Sequence, residues 1–199
     1  MNPTDDRRIG EVVQARTADF VGQCYRLNDS PDFGCIVRVS DGRVDIFGIV
    51  SDVTTGSLDA GRRVSARGAV ETSEEDLFAN NPEIDMLLKT KFTAITVGFR
   101  DGDSVAQRLP STPPRLHGFI YHCAESDLRS FGARLEFLGP LLNVGTSSTV
   151  DELIGATLRR IGSVQTDPRA FLVAAGKRLA ILLENDMRRL STILRSAQA

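Results

Sequence analysis

Short β-rich segments separated by turn residues fill the first 70 residues, and this pattern constrains the fold more than any other feature. The segments are 9–15, 20–27, 34–39, 44–53 and 62–70. The Asp41-Gly42 pair favours a tight hairpin turn, and Gly48 and Gly56 permit the sharp bends that a small barrel needs. Along 44–53 both alternating faces carry apolar residues, which indicates a closed or covered sheet. The sequence therefore predicts a small antiparallel β-barrel.

The pattern becomes mixed between residues 71 and 145. Carboxylates and cap residues at 72–76 indicate a helix N-terminus, and Asn81-Pro82 indicates a second one. Residues 92–100 and 116–123 have the composition of strands. The segment 126–142 is ambiguous, although its apolar residues fit helical spacing better than strand spacing. We expect a strand-rich extension that packs on the barrel.

The sequence pattern predicts helices in the C-terminal part of the chain. Thr149 and Glu152 have capping-box spacing, and an apolar stripe continues to Ile161. The Asp167-Pro168 pair then opens a helix that the pattern extends to about Arg195. At the α-helical rise this helix would be roughly 40 Å long. Since a small barrel covers only part of such a length, we expect the remainder to meet another segment, a second copy or another protein.

This long apolar stripe gives the candidate partner-binding residues. They are six apolar side chains and two flanking arginines: Leu179, Leu182, Leu183, Leu190, Ile193, Leu194, Arg188 and Arg189. A solvated border is the alternative interpretation of the two arginines.

Charge is unevenly distributed along the chain. The net charge is −2, and residues 151–199 contain eight Lys or Arg against five Asp or Glu, which leaves −5 for residues 1–150. An acidic body argues against nucleic-acid binding by the whole chain, which normally requires a strongly basic surface. The apolar runs fall short of the roughly 20 residues that span a bilayer, and the N-terminus has no secretory signal. We therefore expect a cytoplasmic protein with free thiols at Cys24, Cys35 and Cys123; a disulfide between Cys24 and Cys35 is the alternative and would require an oxidising compartment.

Sequence patterns that could support catalysis are weak. The segment 174–178 ends like a phosphate-binding P-loop, but Phe171 replaces its first glycine and Arg178 replaces the Mg²⁺-binding hydroxyl residue. His117, His122 and Cys123 resemble a metal cluster, although strand alternation places neighbouring members on opposite faces. We expect no catalytic residue, no bound cofactor and no metal.

Three arginines, Arg62, Arg63 and Arg67, lie on or beside the last predicted barrel strand. Such groups contact nucleic acid in some small barrels, but this region lacks the aromatic residues that stack on bases. A solvated edge is therefore the favoured interpretation, and a nucleic-acid patch is the alternative.

With its strands in order, the chain resembles a HAS barrel, the barrel of HerA-type hexameric DNA translocases and of the catalytic-ring subunits of rotary ATP synthases. The resemblance rests on IGEVVQARTADFVGQCYRL, FGCIVRVSDGRVDIFGIVSDV and GRRVSARG. The later segments LLKTKFTAITVGF, QRLPSTPPRLHGFIY and FLVAAGKRLAILL are similar to stand-alone bacterial HAS-barrel proteins. In the translocases this barrel holds ring subunits together and receives a partner nuclease. The chain lacks the P-loop and Walker B segment of those ATPases, so the resemblance implies protein contact and no catalytic residue.

These observations together predict an α+β protein with a small antiparallel HAS-like β-barrel, a strand-rich extension and a C-terminal helical tail. The predicted divisions are 8–70, 71–145 and 146–199. We expect a non-enzymatic adaptor or accessory subunit that docks through its barrel and its long helix onto a HerA-type ring ATPase or a nuclease in DNA processing. Homo-oligomerisation through the C-terminal helix is a further expectation, and a nucleic-acid-binding barrel is the alternative function.

Overall fold

Six antiparallel strands of the chain close into a barrel in the computed structural model, which describes residues 8–40, 42–59, 61, 63–144, 148–184 and 186–198. The strands are β1 (Arg8–Ala15), β2 (Asp19–Cys24), β3 (Ile36–Ser40), β4 (Asp45–Ser57), β5 (Leu88–Asp101), β6 (Ser104–Ala106) and β7 (Phe119–His122). Their order is β2-β1-β7-β3-β4-β5, and β5 pairs again with β2 to close the ring, while β6 adds to the outside of β5. The predicted α+β fold class is confirmed.

Two glycines of the barrel make room for aromatic rings in its interior. A Cβ on Gly48 would lie 2.6 Å from Cε1 of Phe20, and a Cβ on Gly22 would lie 2.5 Å from Cζ of Phe92. Phe20 and Phe92 are fully buried in the barrel core with the aliphatic residues of the other strands. Glycine at these positions is therefore a packing requirement of the narrow barrel.

The segment 62–70 does not form the predicted fifth barrel strand. Residues 63–67 have no regular structure, Gly68–Val70 form a 3-10 turn, and Arg62 lies outside the described residues. The prediction is wrong because alternation alone does not make a strand: every described residue from 63 to 70 is exposed, so the segment has no apolar face to bury. Strands β5 and β7 complete the barrel from the region beyond residue 70. The division at residues 70 and 145 stays a prediction.

The described residues also form α-helices. They are α1 (Glu74–Asn80), α2 (Glu83–Leu87), α3 (Glu125–Gly132), α4 (Leu138–Asn143), α5 (Ser148–Ser163), α6 (Pro168–Leu182) and α7 (Met187–Gln198). The Ser73 side chain accepts a hydrogen bond from the backbone N–H of Asp76 and caps α1, as the sequence predicts. The helical interpretation of 126–142 is also confirmed by α3 and α4.

The single long helix predicted from 167 to about 195 is wrong. The chain leaves α6 after Leu182, and Glu184 adopts a left-handed φ of 52°. Asp186 then caps α7, because its carboxylate accepts a hydrogen bond from the backbone N–H of Arg189 at 3.0 Å. Aspartate is a favoured N-cap, and the prediction of one continuous helix did not take Asp186 into account.

Helix α7 folds back and packs closely on α5. A Cβ on Gly155 of α5 would lie 2.5 Å from Cβ of Ser196, so the two helices are in close contact at this glycine. Arg189 of α7 forms a largely buried ion pair with Asp151 of α5 at 2.7 Å. The tail therefore buries much of its own apolar stripe.

A second hydrophobic core joins the helices to one side of the barrel. Ile36, Phe47 and Ile49 point outward from β3 and β4 and pack with residues of α3 to α7. Among the described residues, this core takes no side chain from β1, β2 or β7. The helices therefore cover one side of the barrel and leave the β2-β1-β7 side open. In the described part of the chain, no helix combines the length and apolar character needed to cross a bilayer.

Candidate functional site

The uncovered side of the barrel carries a cluster of aromatic and charged side chains, which we call the open wall: Arg8, Glu11, Tyr25, His117 and Phe119. The Arg8 guanidinium lies 4.8 Å from the ring centre of Phe119 and 5.3 Å from that of Tyr25. Both aromatic rings are exposed. Because the guanidinium contacts both rings, it links two aromatic side chains into one continuous surface.

Glu11 organises the other half of the open wall. The Tyr25 hydroxyl donates to one Glu11 carboxylate oxygen at 2.9 Å, and Nδ1 of His117 lies 3.0 Å from the other. The hydrogen bond with His117, and then that with Tyr25, lowers the pKa of Glu11. His117 has a left-handed φ of 62°, and its backbone N–H donates to the carbonyl of Val12. The loop before β7 is therefore held against β1.

The hydrogen bonds among Glu11, Tyr25 and His117 hold these side chains in fixed positions and do not serve proton transfer. Burial, and then the hydrogen bond to Glu11, raises the pKa of Tyr25 to about 12, so the phenol stays protonated at neutral pH. The His117 side chain is 83% exposed. The three side chains lie side by side on an outer barrel face, an arrangement that fixes the positions of Tyr25 and His117.

We expect the ionisation of Tyr25 to report on this network. Tyr25 and Tyr121 are the only tyrosines, so ultraviolet absorbance can follow phenol ionisation directly. A step near pH 12 should disappear in Tyr25→Phe and move to lower pH in Glu11→Gln, because the neutral amide no longer disfavours the phenolate. Tyr121→Phe is the control that should retain the step. A step near pH 12 that survives Tyr25→Phe would contradict the assignment.

A second exposed feature is the segment 58–87 between β4 and β5, which we call the arm. The β4–β5 hairpin pairs as far as Ser57 and Leu88, and the arm continues from its end. No described residue of the arm is buried. Five large apolar side chains on it are exposed, including Val70 at 89% and Met86 at 71%. The sequence did not predict an exposed arm, because the residues of its first part were assigned to the barrel.

The arm lines most of a small, half-open apolar pocket. Its volume is about 270 Å³, and its lining includes Val64, Leu77, Phe78, Arg63 and Arg67. Arg67 forms an ion pair with Glu83 across the arm. Arg63 and Arg67 are exposed, as the solvated-edge interpretation expects, and Arg62 lies outside the described residues.

A larger groove lies between α6 and α7. Its volume is about 570 Å³, and its lining includes Arg169, Leu172, Val173, Gly176 and Leu194. A Cβ on Gly176 would lie 3.5 Å from the Leu194 side chain, an ordinary van der Waals distance, so the two helices are in contact along this part of the groove. The groove is thus an apolar surface on the helical side of the molecule.

The structure separates the predicted partner-binding residues into three groups. Leu179, Leu190 and Ile193 are buried in the core of the protein, where they stabilise the packing of the tail. Leu182, Leu183 and Leu194 are half-buried, and Leu194 lines the groove. Arg188 is exposed, whereas Arg189 pairs with Asp151. Their role in partner binding stays a prediction.

The apolar residues that face solvent on the tail are different ones. Val173, Ile181 and Met187 are exposed, and they are not among the predicted partner-binding residues. Helical periodicity could have placed Val173 and Ile181 on the face opposite Leu179. It could not show that α7 would turn back and bury the other face.

The residues considered for metal binding are not assembled into a site. His117 belongs to the open wall, His122 is on β7, and Cys123 is mostly buried, which raises the pKa of its thiol. Within the described ranges, no group of three or more histidine, cysteine or carboxylate side chains could hold a metal ion. The three cysteines are free thiols, as predicted, and the P-loop-like segment 174–178 lies inside α6.

No protein-family model matches this chain, and no curated protein matches it.

Proposed function

We propose that this chain is a non-catalytic adaptor or accessory subunit that docks onto a protein partner through the open wall of its barrel. The observation that carries the proposal is the contact of exposed Tyr25 and Phe119 with the guanidinium of Arg8. Tyrosine and arginine are enriched among the residues that dominate binding energies at protein interfaces. Their side chains here are held in place before any partner arrives, which lowers the entropic cost of binding.

The expected partner is a HerA-type ring ATPase or a nuclease that works with one. This part of the proposal rests on the resemblance of the strand segments to HAS barrels, which join subunits of ring ATPases and receive partner proteins. A closed barrel of six antiparallel strands with one uncovered side is compatible with that role. Within such an assembly the helical half would face away from the contact.

Affinity purification tests the proposal directly. We expect the tagged protein to recover a ring ATPase or a nuclease from its own cells, and Tyr25→Ala with Phe119→Ala to lose that recovery. Truncation of two such anchors weakens an interface by about 2 kcal/mol or more each, or roughly 30-fold per residue. Val144→Ala, at another exposed apolar residue, is the matched control. Equal recovery by the double variant would contradict docking through the open wall.

A second candidate function is binding of single-stranded nucleic acid at the same wall. Exposed aromatic rings next to a guanidinium form the stacking platforms on which successive bases lie, and Tyr25, Phe119 and Arg8 have that chemistry. Anisotropy of a labelled single-stranded oligonucleotide would then show binding that weakens linearly in log salt. Absence of binding at low salt would reject this candidate and leave the protein-docking role untouched.

A further inference from the structure

The groove between α6 and α7 is mostly apolar, and its described lining includes one charged residue, Arg169. The two helices contain six Lys or Arg residues and no carboxylate. Of these, Arg169, Lys177 and Arg195 are exposed on the helical side of the molecule. An anionic apolar segment is therefore the chemical complement of this surface.

Helix α6 is apolar on two sides. Phe171, Ala175 and Leu179 face the core, whereas Val173 is 51% exposed and Ile181 is 69% exposed. A helix with apolar residues around its circumference is normally covered on both sides. The outer side of α6 and the adjoining groove thus have the character of a contact surface.

The part of the arm between residues 71 and 84 has the opposite charge, and the arm carries its own exposed apolar side chains. Residues 71–84 contain five carboxylates and no Lys or Arg. Glu74, Glu75 and Asp76 are exposed in the first turn of α1, and Phe78 follows them on the same short helix, also exposed. An acidic segment with apolar side chains is thus present on this chain itself.

We propose that the arm of one copy lies in the α6–α7 groove of a second copy. The contact is a helix-in-groove interaction, in which an amphipathic helix places its apolar side chains in an apolar groove. Phe78 of α1 packs against Leu172 and Leu194 of the second copy. Glu74 and Glu75 pair with the second copy's Arg169 and Lys177.

This contact joins two different surfaces of the same chain. Every copy then offers one arm and one groove, so the assembly grows head to tail and either closes into a ring or extends as a fibre. The open wall takes no part in it. Self-association of this kind is therefore independent of the proposed docking function, and either can fail without the other.

Charge reversal on each surface tests the inference. Light scattering with size-exclusion chromatography should show a molar mass that rises with protein concentration. Arg169→Glu with Lys177→Glu in the groove, and Glu74→Lys with Glu75→Lys in the arm, should each weaken self-association by at least about 100-fold, since like charges then face each other. Asp103→Lys, at the exposed tip of the β5–β6 hairpin, is a control that should retain it.

Mixing the two reversed proteins is the decisive measurement. The altered arm of one variant can then bind the altered groove of the other, because their charges are opposite. The unaltered arm and the unaltered groove can also bind each other. Assembly should therefore return in the mixture. A wild-type protein that stays monomeric at every concentration overturns the proposal and leaves the groove for an acidic helix of another protein. Loss of assembly in the groove variant alone also overturns it, because the contact would then be α6 against α6. A mixture that stays monomeric, while each variant keeps the wild-type circular dichroism spectrum, also overturns the proposal.

Discussion

Substitution of Gly10 by alanine should destabilise the barrel by about 3 kcal/mol or more, which corresponds to a thermal midpoint lower by roughly 10 °C. Gly10 lies on β1 opposite Cys24 of β2. A Cβ on it would lie 1.9 Å from the backbone carbonyl oxygen of Gln23. Backbone atoms cannot move aside as the end of a flexible side chain can, so β1 and β2 must separate.

Separation of these strands should also remove the function assigned to the open wall. Arg8 and Glu11 lie on either side of Gly10 on β1, and the backbone N–H of Tyr25 donates to the carbonyl of Ile9 at 3.0 Å. Displacement of β1 therefore moves the guanidinium and the carboxylate away from Tyr25. We expect partner recovery by Gly10→Ala to fall with its stability.

Gly56→Ala is the matched control for this measurement. Gly56 is also a strand glycine, but a Cβ on it would meet no atom within 4 Å. The added methyl group reduces the conformational entropy of the unfolded chain, so stability should be unchanged or rise by a few tenths of a kcal/mol to about 1 kcal/mol. Thermal and urea unfolding followed by circular dichroism measure both variants. Equal midpoints for Gly10→Ala and wild type would show that the β1–β2 spacing is wider than described.

The sequence predicted the barrel from signals that act locally. Turn residues, β-rich composition and apolar residues on both strand faces each reflect the conformation of a few neighbouring residues, and they located β1 to β5 and β7. The segment 62–70 shows the limit of this reasoning. Its alternation satisfied the local criterion, yet Val64 finds no partner strand and remains 61% exposed. Pairing depends on distant residues, which a local pattern does not contain.

The same limit explains why the candidate sites could not be predicted correctly from local sequence patterns. Apolar periodicity placed Leu179, Leu190 and Ile193 on one stripe of a single helix, whereas they lie on two helices, α6 and α7, and are buried in the core of the protein. The open wall joins Arg8, Tyr25 and Phe119, which come from three separate parts of the chain. The pairing of β1 with both β2 and β7 brings them together, so no spacing in the sequence could have indicated this cluster.

Gln107 is the residue for which the sequence offered no signal and the structure predicts a large effect. Its side chain is 6% exposed and bridges the strand region to the loop between α3 and α4. The amide nitrogen donates to the carbonyls of Phe131 and Arg134 at 2.6 and 3.0 Å. The amide oxygen accepts from the backbone N–H groups of Glu136 and Phe137 at 2.8 and 3.1 Å. One side chain therefore satisfies four backbone groups.

We expect Gln107→Ala to lower the free energy of unfolding by about 3–5 kcal/mol, because a buried backbone group left without a partner costs about 1–3 kcal/mol. Urea unfolding measures the change. Gln14→Ala, on the exposed side of β1, should have little effect and serves as the control. A loss below about 1 kcal/mol would show that water replaces the amide without cost.

The variant Gln107→Glu distinguishes the role of the amide oxygen as acceptor from that of the amide nitrogen as donor. The carboxylate keeps an acceptor for the N–H groups of Glu136 and Phe137, but its second oxygen faces the carbonyls of Phe131 and Arg134. Only the protonated acid can donate to those carbonyls, so folding should raise the pKa of the new group. A raised pKa in the folded state means that stability is highest below the unfolded value of about 4.3 and is lost as the pH rises through the folded value. The stability deficit relative to wild type should therefore narrow as the pH falls towards about 4, whereas that of Gln107→Ala should stay constant, and parallel deficits across this range would contradict the donor role of the amide nitrogen.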